Sequence, residues 1–171
     1  MFMNFLRNNV YASGILTVLR VYLGWKWLTG GWGKITGEPF NAGGYLNGAI
    51  NNPVMSGENL VYPTYVSFLE NIAIPNAGVF SFMVAWGEFL VGLGLILGIL
   101  TTAAAFFGVV MNFSFIFAGT ISTNPWMILI AMFVLAAGAN AGKFGGDYYV
   151  LPYLKQLISG KKAITHQNKA A

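Results

Sequence analysis

Residues 80–100, FSFMVAWGEFLVGLGLILGIL, form an apolar run long enough to cross a bilayer, which takes about 20 residues at 1.5 Å rise each. The run contains one charge, Glu88, near its middle. An ionisable group at that depth is costly, so it either serves function or is held by another charge. Gly87, Gly92, Gly94 and Gly98 lie around it, and the Gly94/Gly98 GxxxG pair predicts a close approach by a second helix. On a helical projection Glu88 shares its face with Ser81, Ala85 and Gly92, all small. That face is therefore expected to meet another helix or a filled cavity, not lipid. Any fold for this chain has to provide a partner for Glu88.

Composition fixes the class of fold. Of 171 residues, 56% are hydrophobic and only 8% charged, with a mean hydropathy of +0.63. Soluble domains carry about 25% charge, so the chain reads as an integral membrane protein, and its length fits a single domain over 1–171. It has no cysteine, which excludes a thiol relay, an iron–sulfur cluster and thiolate metal sites within this chain. The single histidine, His166, lies in the C-terminal tail, so bis-histidine haem ligation inside the membrane is also excluded. No metal site is expected. No Walker or dinucleotide glycine pattern follows a strand-like segment, and nothing points to nucleic acid.

Apolar segments predict spans at 12–32, 77–98, 101–121 and 125–141, giving an all-α, integral membrane four-helix bundle. The first is not a cleaved signal peptide, because Arg20 interrupts its apolar region and hydrophobicity continues beyond it. Arg20 falls on a polar and small stripe with Ser13, Thr17, Gly24, Trp27 and Gly31. Trp25, Trp27 and Trp32 are interface-anchor types. Residues 34–76 form a long extracytoplasmic loop. Its first half, rich in glycine, asparagine and proline, is expected to be irregular. Thr64 to Ile74, bounded by Pro63 and Pro75, reads as a short interfacial amphipathic helix. The aromatics Phe40, Tyr45, Tyr62, Tyr65 and Phe68 favour an ordered cap. Asn124 before Pro125 reads as a helix cap, and Asp147 with Tyr148 and Tyr149 as an interface anchor.

Orientation follows from the cations. Arg7 precedes the first span, and Lys143, Lys155, Lys161, Lys162 and Lys169 follow the fourth in a basic tail, 142–171. The positive-inside rule places both termini in the cytoplasm. Counted from the inner span ends, Arg20 lies about 12 Å deep, Glu88 about 15 Å and Asn112 about 16 Å. One polar layer from three helices is therefore expected, with Arg20 and Glu88 as an ion pair. Such a pair is either purely structural, with the amide filling a leftover hydrogen bond, or it flanks a pocket for a ligand headgroup or a proton; the third alternative is that the span registers differ and the residues never meet.

Several separated segments resemble the DoxX/DoxD membrane proteins: RVYLGWKWLTGGWGK (20–34), PNAG (75–78), WGEFLVGLGLILG (86–98), MNFSF (111–115), STNP (122–125) and GANAGKFGGDYY (138–149). The resemblance covers about residues 15–152. It implies a four-helix bundle in the bacterial plasma membrane. One branch of that family is the small membrane subunit of thiosulfate:quinone oxidoreductase, and others are linked to oxidative-stress complexes or to quinone and catechol stress. No thiosulfate signature is present here. The implied function is a quinone-interacting oxidoreductase subunit, with a lipid quinone as electron acceptor, no cofactor held by the chain itself, and a partner subunit or a second copy as associate. Glu88 and Arg20 are the expected catalytic residues. Asn112, Trp27, Trp86 and Lys34 are the expected substrate-binding residues, with donors for the quinone oxygens and aromatic walls for the ring. The alternative is a non-catalytic carrier, or a scaffold for a redox or stress-response complex.

This orientation is testable in intact cells. With cysteines introduced at Ser56 and Ser159, an impermeant thiol reagent should label the first and not the second; labelling at Ser159 would invert the topology.

Overall fold

The computed structural model describes residues 1–38 and 40–167. Among the described residues the chain is all-α apart from one small hairpin. After a short helix α1 (Phe2–Asn8), helix α2 runs over Val10–Thr36, 27 residues in all. Asn9 caps it, its side chain accepting from the backbone N–H groups of Tyr11 and Ala12 at 2.8 and 3.3 Å. Three further long helices follow: α5 (Ala77–Leu97), α6 (Thr101–Phe117) and α7 (Asn124–Ala137). Helix α2 packs on α5, α5 on α6, α6 on α7, and α7 back on α2, closing a ring. By length and composition, α5 and the helix that begins at Asn124 and extends to Gly142 can each cross a membrane.

Helix α2 extends past both ends of the segment expected at 12–32. Gly30, Gly31 and Gly33 do not break it, because packing outweighs their weak helix propensity. A Cβ at Gly31 would stand 2.3 Å from Phe89 N, and one at Gly92 would stand 2.3 Å from Leu28 N. A Cβ at Gly24 would stand 2.9 Å from Gly92 O. The α2 and α5 backbones therefore touch along Gly24, Gly31 and Gly92. The expected Gly94/Gly98 contact is different in kind. Gly94 lies against Ala104 of α6, whereas Gly98 ends α5 in a left-handed conformation, φ 65°, a common role for glycine at a helix C-terminus.

The loop carries more structure than its composition predicts. Helix α3 (Ala42–Asn51) starts at Asn41, whose side chain accepts from Gly43 N at 2.8 Å. It then buries Ala42, Leu46 and Ala49. Burial on the bundle again overrides glycine propensity. A hairpin follows, β1 (Met55–Ser56) with β2 (Asn59–Leu60), in the register Met55↔Leu60 and Ser56↔Asn59. It turns at Gly57 with φ 61°. Helix α4 (Pro63–Phe68) passes into a π-helical turn at Leu69–Ala73. Leu69 and Ala73 bury themselves with Ala42, Leu46, Ala49 and Ala118 in a second apolar cluster outside the main core.

At the opposite end, α7 continues as a 3-10 turn, Gly138–Gly142, and α8 (Asp147–Gln167) leaves the bundle. Asn140 donates to Leu6 O at 2.8 Å and to Asn9 O at 3.0 Å, tying this end to α1 and α2. Asn124 is not the α7 cap expected from its place before Pro125. Thr123 holds that position, and the Asn124 amide donates back to Thr120 O at 2.8 Å. Lys169, part of the basic set in the tail, lies outside the described residues.

Gly92→Ala should lower bundle stability by about 3 kcal/mol or more, since the new methyl has to push two backbones apart. Gly14→Ala meets nothing within 4 Å and should be neutral or gain up to about 1 kcal/mol of helix propensity. Thermal unfolding of the purified variants in detergent checks both.

Candidate functional site: an ion pair at the wall of an aromatic cavity

Glu88 meets Lys34, not Arg20. Lys34 Nζ lies 2.6 Å from Glu88 Oε2, with side-chain exposures of 28% and 5%. It is the one salt bridge among the described residues. Lys34 reaches this position because α2 remains helical through Thr36, so the lysine projects from the helix instead of starting the loop. Gly30, one turn before it, leaves room for the carboxylate: a Cβ there would stand 3.0 Å from Glu88 Oε2. Glu88 Oε1 makes no hydrogen bond among the described residues. Lys34 Nζ also sits 5.5 Å over the ring of Phe40.

The expected Arg20–Glu88 pair is thus corrected. The Arg20 guanidinium is 2% exposed and donates to Leu95 O at 2.5 Å and to Ile96 O and Phe144 O at 2.9 Å each. These include carbonyls at the C-terminal end of α5, which lack partners within the helix and favour a cation. Ile96 lies eight residues from Glu88, about 12 Å along the axis. The depth argument failed because α2 begins well below the inner end of α5, and equal counts from each helix end do not mark one level. Asp147 is the complement of Arg20 and not an interface anchor. It accepts from Leu100 N at 2.7 Å and Thr101 N at 3.0 Å, capping the start of α6.

Lys34 and Glu88 line a cavity of about 760 Å³ whose other walls are mainly apolar and aromatic. Helices α3 and α4 and the π-turn cover it with Tyr45, Leu46, Tyr65, Phe68 and Leu69. Helix α5 contributes Phe80, Met83 and Leu90, and α6 contributes Phe107, Met111 and Phe115. Phe68 stands edge-on to Phe80, and Tyr45 edge-on to Phe115. Hydroxyls fix two of the rings: Tyr65 donates to Ser114 O at 2.9 Å, and Tyr45 lies 3.0 Å from Thr120 Oγ1. Burial raises both phenols above their ordinary pKa, so they stay neutral and present ring faces with no charge.

The other expected residues lie elsewhere. Asn112 is fully buried one turn from Gly108 on the inward stripe of α6, and neither of its amide atoms has a partner among the described residues. The Trp27 indole N–H is likewise unpartnered, next to Gly108. Met111 Sδ would lie 3.3 Å from a Cβ at Gly87, so Asn112 and Glu88 do share a level. Asn112 and Trp27 are not in the cavity wall; Phe115, 6.5 Å from Trp27 between ring centres, lines it instead. Trp86 is 40% exposed and packs against Phe82 and Phe89 outside the cavity. The cap aromatics carried a sequence signal, five rings in a polar loop. Phe80, Phe107 and Phe115 carried none, because phenylalanine is common throughout these helices.

Long apolar helices, two of them able to cross a membrane, thus enclose an aromatic cavity with a single ion pair in its wall among the described residues. A profile of the DoxX family matches residues 15–121, and the chain belongs to that family. No curated protein and no solved structure shows significant similarity to it.

The pairing predicts a specific coupling. Lys34→Met and Glu88→Leu should each cost about 2–4 kcal/mol by stranding a buried charge, and the double variant should recover much of it. A double-mutant cycle for Lys34 and Glu88 should give at least about 1 kcal/mol, and one for Arg20 and Glu88 should stay within about 0.5 kcal/mol. Reversed couplings in unfolding measurements would restore the Arg20 pairing.

Proposed function

We propose that this DoxX protein is a quinone-interacting subunit of a redox system in the bacterial plasma membrane. It crosses the membrane four times, on α2, α5, α6 and α7, with both termini cytoplasmic. The observation that carries this reading is the ion pair in the cavity wall. Lys34 has N–H groups beyond the one given to Glu88, and Glu88 Oε1 is a free acceptor. A donor and an acceptor side by side suit one oxygen that changes between carbonyl and hydroxyl. As quinone, that oxygen accepts from Lys34; as quinol, its O–H donates to Glu88. The aromatic walls suit the ring, and a site of this size holds a ligand of several hundred daltons.

Reduction of a quinone takes up two electrons and two protons. Lys34 and Glu88 can pass a proton to the oxygen they face. The electrons would come from a partner subunit, since the chain has no cysteine and its one histidine is in the tail. Arg20, Trp27, Asn112 and Trp86 take no part in this site; Lys34 takes the donor role first expected of Arg20. The same scarcity of redox ligands favours a second reading, a non-catalytic carrier or a scaffold for a redox or stress-response complex.

Protein in nanodiscs should bind a short-chain ubiquinone or menaquinone analogue, read by quenching of tryptophan fluorescence. Lys34→Met and Glu88→Gln should each weaken binding by about tenfold or more, the scale of one charge-assisted hydrogen bond, while Trp86→Leu should not. Binding unchanged in both site variants would sink the quinone site. Tight binding without turnover, with the partner and a reduced donor supplied, would favour the carrier.

A further inference from the structure

Six cavity-lining residues are exposed: Thr120 and Ser122 at the loop end, and four apolar ones on the flank. Met83 and Leu90 of α5 are 57% and 58% exposed, and Phe107 and Val110 of α6 are 58% and 45% exposed. All four are in the cavity wall. The cavity therefore reaches the apolar flank of the bundle between α5 and α6. Its loop side is covered except beside Thr120 and Ser122. On the loop side it is roofed by Leu46, Leu69 and Ala73, which are 6%, 2% and 0% exposed. Its charged pair sits on the α2 side, across the cavity from the α5–α6 opening.

We propose that the gap between α5 and α6 is a lateral portal, and that the cavity takes an amphiphile whose single hydrocarbon chain passes through it into the bilayer. This rests on the headgroup site at Lys34 and Glu88 and adds the route its ligand takes: a carbonyl or phenolic head at the pair and a long apolar tail leaving between α5 and α6. The arrangement of the walls gives the reason. A polar head is held by the pair at the far wall, and an apolar tail needs no desolvated polar contact on its way out, since Met83, Leu90, Phe107 and Val110 offer none. A small water-soluble phenol or an inorganic anion could enter past Thr120 and Ser122 and would leave the α5–α6 exit unused.

The native chain has no cysteine, so one introduced thiol can be labelled cleanly. Purified Val110→Cys in nanodiscs, alkylated with a bulky lipid-soluble maleimide, is compared with the unlabelled variant and with labelled Phe106→Cys. Phe106 is 53% exposed and is not in the cavity wall. The probes are a quinone with a ten-carbon chain and the same ring without a chain. Labelling Val110→Cys should weaken the long-chain probe by about tenfold or more and leave the chainless ring within about twofold, with no effect at Phe106→Cys. Equal affinity for the long-chain probe before and after labelling would overturn the portal and leave the headgroup site standing. So would equal losses for both probes. Failure of both probes to bind the unlabelled protein would overturn the headgroup site and the portal together.

Discussion

The structure depends on the backbone contact between α2 and α5. Gly24, Gly31 and Gly92 remove the side chains that would hold these helices apart, and within a bilayer such close packing stands in for the hydrophobic drive that lipid cannot supply. The contact also fixes the level at which each residue of α2 meets α5. Gly24 faces Gly92, and Gly31 faces Phe89. Lys34 is then carried to the level of Glu88, while Arg20 is left at the carbonyl end of α5. Sliding α2 by about two turns would bring Arg20 to the level of Glu88 and carry Lys34 past it. Which cation meets the buried carboxylate is decided by three hydrogen atoms in place of three methyl groups.

The sequence made the helical class, the family and the need of Glu88 for a charged partner legible, because a lone carboxylate in an apolar run of that length has few explanations. It also marked Lys34, Trp27 and Asn112 as special. It did not reveal which residues meet. Relative sliding of two helices is set by packing between faces, and the inner ends of α2 and α5 do not coincide. Helix α3 was hidden for a related reason: its three glycines oppose a helix locally, and only burial of Ala42, Leu46 and Ala49 against the bundle stabilises it. The cavity was legible only on its loop side, where aromatic residues stand out against a polar background.

The two charges near the turn between α5 and α6 show a division of labour. Arg20 and Asp147 are both buried, at 2% and 4% exposure, yet neither is bonded to the other. Arg20 bonds carbonyls at the end of α5, and Asp147 bonds amides at the start of α6. Each neutralises the partial charge of a helix terminus, so the turn between these helices is held from both sides. The pair that binds side chain to side chain, Lys34 with Glu88, lies at the cavity. Charge that caps helix ends and charge paired side chain to side chain are thus separated along the bundle.

That clamped turn has a mechanical consequence. Only three residues, Gly98 to Leu100, join α5 to α6, and Leu100 takes a left-handed φ of 51°, a conformation that costs an L-residue about 1–2 kcal/mol. The Asp147 carboxylate grips Leu100 N and Thr101 N, and Asp147 N in turn bonds Gly98 O at 2.7 Å. The two helices are pinned at this end like the blades of a pair of scissors at their rivet. Rotation of a few degrees about the pin would move the far ends by ångströms and leave the rivet unchanged, so any give between α5 and α6 falls at the end away from Leu100.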